Sequence, residues 1–209
     1  MSILNVQVLA DRVLLAVDTK MATGSVLGET TKFQIIEPAH AVLAGRGVAA
    51  FQFLLFAALS ASGGSVDELV RVMMKQIESC MEYMRLDAER MQSTDPMLSE
   101  GQDITLVGWS ESHQRLLAIR WYKPAGKLRF EADVLSGWSI GPSMSRDDLR
   151  QIQGPLDSEC KMIEVMNRQI YHFERSYPGL PIGGRPIFID VTKERIAVTR
   201  GAPFAGMLP

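Results

Sequence analysis

The chain has 209 residues, 46% of them apolar and 22% charged, the proportions of an ordinary folded domain rather than a disordered chain. Its 22 Lys and Arg are set against 24 Asp and Glu, a net charge of −2, which argues against a basic nucleic-acid clamp. The opening Met1-Ser2-Ile3-Leu4 has no basic start, and Asp11-Arg12 interrupts the first apolar stretch, so no signal peptide is expected. The most apolar run, Val48 to Ala61, contains Gln52 and falls short of the roughly 20 residues a membrane span needs. It is read as a buried helix. A cytoplasmic protein that engages neither membrane nor nucleic acid is the expectation.

The start of the chain reads as strands: Val6 and Val8, a turn at Ala10-Asp11-Arg12, then Val13 to Val17 ending at Asp18. Thr23-Gly24-Ser25 and Gly28 mark a loop or hairpin. Lys32 to Ile36 and His40 to Ala44 read as further strands on either side of Pro38, and Gly45-Arg46-Gly47 leads into the apolar helix. Gly63-Gly64 stops that helix. Ser65 and Glu68 have the spacing of a capping box. From there Val66, Val70, Met73, Ile77, Cys80, Met84, Ala88 and Met91 recur at helical steps, which predicts one long amphipathic helix.

Strands return at Ile104 to Trp109, Leu116 to Tyr122 and Leu128 to Leu135, with a turn at Pro124-Ala125-Gly126. Gly137 to Gly141 forms an exit. Ser145 with Asp148 suggests a cap, and Leu156, Cys160, Ile163, Met166, Ile170 and Phe173 mark another helical face. Arg185 to Val191 and Arg195 to Arg200 close the chain as strands. Residues 1–200 are read as a single domain and 201–209 as a loose tail. Strand blocks alternating with helix pairs predict a layered fold of antiparallel sheets.

Of the 12 methionines, Met73, Met74, Met81, Met84, Met91 and Met97 lie in or just after the long helix. They either fill the core or make an adaptable surface. Cys80 and Cys160 are both read as inward-facing helical residues and reduced thiols. His40, His113 and His172 have no ligand spacing, so neither a metal nor a cofactor is expected.

Gly137-Trp138-Ser139-Ile140-Gly141 matches G-x-S-x-G, the nucleophile elbow of α/β-hydrolases. Its acid and base would be Asp157 and His172, but both fall on one predicted helix and the parallel-strand order is missing. A glycine-rich turn is the better reading.

The front of the chain is more informative. Ser2 precedes the first strand, Asp18 ends the second, Lys32 starts the third, and Gly45 lies between a strand and the apolar helix. The stretch Arg12 to Gly24, Thr30-Thr31-Lys32-Phe33, Leu43-Ala44-Gly45-Arg46-Gly47 and Ile182-Gly183-Gly184-Arg185-Pro186-Ile187, in this order, resembles the proteasome β-subunit family of N-terminal-nucleophile hydrolases. The resemblance implies an α+β fold, a four-layer αββα sandwich of two mainly antiparallel sheets between helix pairs. It also implies a homo-oligomer or larger assembly and a peptide substrate.

Carried over by position, Ser2 is the nucleophile, Asp18 the lysine anchor, Lys32 the cation and Gly45 the oxyanion donor. A hydroxyl is a poor nucleophile at neutral pH; an N-terminal Ser can use its own α-amine, of ordinary pKa near ~8, as the base. That requires removal of Met1, because an acylated Ser2 nitrogen is not basic. The sequence departs from the family pattern at Ser2, where Thr is usual, and at Pro142, Gly179 and Ile182, where supporting side chains are replaced. Two functions therefore stand open. One is a self-associating structural subunit that has lost catalysis. The other is an N-terminal serine amidohydrolase or peptidase of a self-compartmentalising ring.

Overall fold

The computed structural model of the chain describes residues 2–23, 26–152, 154–179 and 182–204. In chain order the elements are β1 (Leu4–Val8), β2 (Val13–Asp18), β3 (Lys20–Thr23), β4 (Val26–Glu29), β5 (Phe33–Ile36), β6 (Ala41–Arg46), α1 (Ala49–Ser62), α2 (Val66–Arg90) and α3 (Pro96–Ser99). Then follow β7 (Gln102–Ser110), β8 (Arg115–Lys123), β9 (Glu131–Val134), β10 (Trp138–Gly141), α4 (Arg146–Arg150), α5 (Glu159–Ser176), β11 (Pro186–Val191) and β12 (Ile196–Arg200). β3 and β4 pair as a short antiparallel hairpin; Gly24 and Ser25 of the loop expected there lie outside the described residues. The chain divides into two compact units, Met1–Lys32 with Leu135–Pro209, and Phe33–Val134.

The first unit is built on a five-stranded sheet in the order β10-β1-β2-β11-β12, antiparallel throughout. Every residue of β2 is buried, as its unbroken apolar run requires of a strand at the centre of a sheet. Ser158 caps the start of α5, its hydroxyl accepting the Lys161 N–H. Its apolar face (Met162, Val165, Met166, Ile170, Phe173) joins Leu14, Ala16 and Phe188 of the sheet in one core. Cys160 departs from the sequence reading and is exposed: it sits two residues before Met162, about 200° around a helix from that buried side chain. Of the expected tail, Gly201 donates its N–H to Pro186 O and Phe204 to Gly184 O. Phe204 is buried in the same core, and residues 205–209 lie outside the described residues.

The second unit carries the sheet β5-β6-β7-β8-β9, again antiparallel. One face supplies Leu43, Ile104, Leu106, Leu117, Ile119 and Trp121 to a core completed by α1 and α2. The predicted capping box forms: Ser65 Oγ accepts from Glu68 N–H while the Glu68 carboxylate accepts from Ser65 N–H. Met73 and Met84 fill the core, whereas Met74 and Met91, the residue after α2, are exposed.

α1 corrects the sequence reading of a buried helix. Only Phe51, Leu55 and Leu59 are buried, one residue per turn, and Phe53 is 50% exposed. The run is apolar all round, but one face alone meets the core. Among the described residues no helix is long and apolar enough to cross a membrane. The α+β class with antiparallel pairing, as read from the sequence, is the observed one.

Candidate active site

The site grows from the end of β2. Asp18 is fully buried, and an ionised carboxylate survives there only if its oxygens are satisfied. Its Oδ1 accepts the Ile3 N–H at 2.6 Å and a Lys32 Nζ proton at 2.7 Å, and its Oδ2 accepts the Gly183 N–H at 2.9 Å. Lys32, immediately before β5, is buried too and gives a second Nζ proton to the Lys20 carbonyl at 2.6 Å. Burial lowers the Lys32 pKa below the ordinary lysine value, against the opposing pull of Asp18. Burial also raises Asp18, against Lys32, Ile3 and Gly183.

Asp18 and Lys32 are therefore in direct contact. Ser2 is partly exposed and adjoins the pair through Ile3, whose amide is tied to the carboxylate. Gly45 lies in the second unit, on β6 opposite Ile104. A side chain there would approach Gln52 Cδ to 3.0 Å and Asp103 O to 3.1 Å, so the position is tight.

The glycine pair explains how the start of β11 reaches Asp18. Gly183 and Gly184 have φ of 105° and 83°, the left-handed range that suits glycine. A Cβ on Gly184 would stand 2.6 Å from Thr19 Oγ1. With none there, Lys20 N–H donates to Gly183 O at 3.0 Å and Arg185 N–H to Thr19 Oγ1 at 2.8 Å. The sequence reading missed Ile3, Gly183 and Thr19 as contributors. The first two act through backbone amides; the signals available were the Gly183-Gly184 pair, read only as part of the resemblance, and a second polar residue, Thr19, directly after Asp18.

Where the family pattern puts a serine, Pro142 is part of a different network. Asn5 Nδ2 donates to Gln169 Oε1 at 2.8 Å, Gln169 Nε2 to Pro142 O at 3.0 Å, and Gly141 N–H to Asn5 Oδ1 at 3.3 Å. Asn5 and Gln169 are fully buried. Ser139 of the G-x-S-x-G run lies within β10 opposite Val6, not on a strand-to-helix turn. His172 Nδ1 lies 3.2 Å from Asp148 Oδ2, and Lys161 Nζ 3.2 Å from Asp157 Oδ1. No elbow is formed.

A second polar cluster, in the other unit, joins Asp67 to Ser110, Ser112 and His113. Both hydroxyls donate to Asp67 Oδ1, at 2.6 and 2.8 Å, and Ser112 N–H donates to Oδ2. The Ser110 hydroxyl and the Ser112 amide hold the Asp67 carboxyl down at about 2. His113 Nδ1 lies 2.9 Å from each hydroxyl oxygen. Both hydroxyl protons are engaged by the carboxylate, so the imidazole does not stand between acid and hydroxyl as a serine-activating triad requires.

No family model matches the chain, and no curated protein matches it in sequence. Solved structures do. Anbu from Hyphomicrobium sp. strain MC1 is 12% identical, with a TM-score of 0.61 over 98% of this chain and 88% of its own. The Anbu (Gly-1) mutant from the same strain is 13% identical, with a TM-score of 0.62 over 99% of this chain and 88% of its own. At such identities the likeness is one of fold: the chain has the proteasome-like α+β fold of Anbu.

Proposed function

We propose that the chain is a proteasome-β-subunit-like N-terminal serine amidohydrolase that acts on peptides within a self-associated assembly, once Met1 has been removed. The observation that carries this reading is the buried Lys32–Asp18 pair, anchored by two backbone amides. A buried ion pair is not in itself a source of stability. Its charge beside the start of β1 is what a serine nucleophile needs.

The free α-amine of Ser2 takes the hydroxyl proton as Oγ attacks the peptide carbonyl, and returns it to the leaving amine as the C–N bond breaks. Lys32 supplies positive potential at the oxygen. Two of its Nζ protons are held by Asp18 and the Lys20 carbonyl, and the third has no acceptor among the described residues. Water then cleaves the acyl ester by the same route in reverse. By the family resemblance Gly45 N–H is the oxyanion donor.

The test joins intact mass with turnover. Native protein lacking Met1 that hydrolyses a fluorogenic peptide, and loses the activity in Ser2→Ala, supports the reading. Retained Met1, or a rate unchanged in Ser2→Ala, overturns it.

A second reading, a self-associating subunit without catalysis, is favoured by Pro142. The Asn5–Gln169–Pro142 network holds by amides the region where the family pattern places a supporting serine. Covalent labelling of Ser2 by an electrophile selective for N-terminal nucleophiles would exclude it.

A further inference from the structure

A cavity of about 120 Å³ lies in the first unit between the opening turns of α5 and the sheet. Leu14 of β2, Phe188 and Asp190 of β11, Ala197 and Thr199 of β12 and Met162 of α5 line it. Cofactor pockets run to roughly 300–1,000 Å³; this one has the room of a single long side chain. Directly opposed residues of a sheet share a face. Asp190 is opposite Leu14 and Ala197, and Phe188 is opposite Ala16 and Thr199, so these side chains are on the face that packs α5.

Asp190 is poorly satisfied there. Its Oδ1 is buried without a hydrogen-bond partner. Its Oδ2 has Arg12 Nη1 at 3.5 Å, longer than the roughly 2.7–2.9 Å of a charge-assisted bond. Arg12 is divided, since its Nη2 donates to the Asp157 carbonyl at 3.2 Å. Two more carboxylates, Asp157 and Glu159, border the cavity. Lys161 answers Asp157 at 3.2 Å, and Glu159 offsets the positive end of α5. Asp190, with a side chain 23% exposed, is the carboxylate still short of a donor. A cation on an apolar stem suits both the walls and this group.

β12 ends the sheet. Thr192 N–H donates to Arg195 O and Gly201 N–H to Pro186 O. Those bonds set the ladder: Asp190–Ala197 and Phe188–Thr199 are hydrogen-bonded pairs, and Ile189–Val198 is not. The N–H and C=O of Val198 therefore face the free edge, and its side chain is 42% exposed. A strand added there lays alternate side chains beside Ala197 and Thr199, on the face of the cavity. Asp190 is two strand spacings away, roughly 10 Å, a gap bridged by the four-carbon stem and ammonium of lysine.

We infer that β12 and the cavity beneath α5 bind an extended peptide segment of a partner protein by strand addition, with a lysine of that segment seated against Asp190. Leu14, Phe188 and Met162 take its methylenes, and Asp190 takes the ammonium. A second copy of this chain fits less well. Pairing β12 with its own copy about Val198 sets Ala197 opposite Thr199 and brings no cation to Asp190. The site lies within the first unit and uses neither Ser2 nor Lys32, so it stands whether or not the chain is an amidohydrolase.

The test is fluorescence anisotropy of the full chain with labelled heptapeptides Thr-Val-Thr-Xaa-Thr-Val-Thr, where Xaa is Lys, Leu or Glu. The Lys peptide should bind at least tenfold more tightly than the other two. Asp190→Asn should bring it down to the level of the Leu peptide, and Asp190→Lys should move the preference to Glu. Val198→Pro removes an N–H from the free edge, where an edge strand tolerates proline. It should weaken the Lys and Leu peptides alike, at least tenfold, with circular dichroism showing that the fold is kept. Equal binding of the three peptides, a Lys preference that survives in Asp190→Asn, or binding untouched by Val198→Pro overturns the inference. So does a dimer in sedimentation velocity that Val198→Pro abolishes, because a second copy then occupies the edge.

Discussion

Ile3 and Asp18 are joined by an amide-to-carboxylate hydrogen bond of 2.6 Å, on the same oxygen that receives the Lys32 ammonium at 2.7 Å. The first strand is thus fastened to a buried charge, not only to the ladder of β2. Removing either side of that arrangement has distinct consequences.

Asp18→Asn leaves Lys32 buried without its counter-charge. Loss of one partner of a buried pair costs about 3–5 kcal/mol, and a urea titration of the variant should show it as a lowered midpoint. Lys32→Met should be similarly harmful. The double variant Asp18→Leu/Lys32→Met should lose less than the sum of the two, because no buried charge is left alone.

The pH profile of turnover follows from Lys32. Its folded pKa is lowered by burial, so the ammonium is lost at a lower pH than that of an ordinary lysine, which titrates near 10.5. If the charged form supports the nucleophile, the alkaline limb of kcat/KM should fall below that value. Lys32→Arg, with a cation that does not titrate in this range, should abolish that limb. An alkaline limb unchanged in the arginine variant would assign it to another group.

Asp67 predicts the opposite edge of the pH scale. Its folded pKa is depressed to about 2 by Ser110 and Ser112. Between that value and the unfolded value near 3.8 the unfolded chain binds more protons. The contribution is therefore present above about pH 4 and disappears as pH falls toward 2. The protection of the Ser112 amide against hydrogen exchange, relative to its intrinsic rate at each pH, should fall across that window in the wild type. In Asp67→Asn the protection should be low at every pH.

Gly184→Ala tests the glycine entry to β11. With φ at 83° and a Cβ position 2.6 Å from Thr19 Oγ1, alanine should cost about 1–2 kcal/mol from the left-handed backbone alone. It should also break the bond from Arg185 N–H to Thr19. Thermal unfolding measures the first effect. The chemical shift of the Arg185 amide reports the second.

Gln169→Leu removes the middle of the Asn5–Gln169–Pro142 chain and takes away the partner that Asn5 Nδ2 and the Pro142 carbonyl find in Gln169. A loss of about 1–3 kcal/mol is expected for such orphaned groups. A change below half a kcal/mol in equilibrium denaturation would mean that the network is not holding this corner.

Much of this was legible in the sequence, for particular reasons. Asp18 and Lys32 are charged residues at the ends of strand patterns, and an apolar run bounded by a charge marks both the strand and the candidate site. The Ser65–Glu68 box was legible because both its partners are side chains at a fixed spacing. The anchors of Asp18 were not, because Ile3 and Gly183 act through amides that every residue possesses. Asn5 and Gln169 meet across 164 positions, a separation that no local pattern encodes. Cys160 failed as an inward-facing residue because the helical face was drawn through it by counting steps of three and four, which tolerate a neighbouring phase. α1 failed because hydrophobicity without polar alternation does not say which side is covered.

The division of the chain has a consequence for biosynthesis. The second unit is one continuous stretch, Phe33–Val134, whereas the first is assembled from Met1–Lys32 and Leu135–Pro209. On a ribosome the inserted stretch can close its own sheet while the opening strands still lack β10, β11 and β12. Gly183, which completes the Asp18 carboxylate's set of donors, is made only after the whole insert. A chain arrested before β11 therefore carries a complete insert while the Asp18 carboxylate still lacks one of its donors.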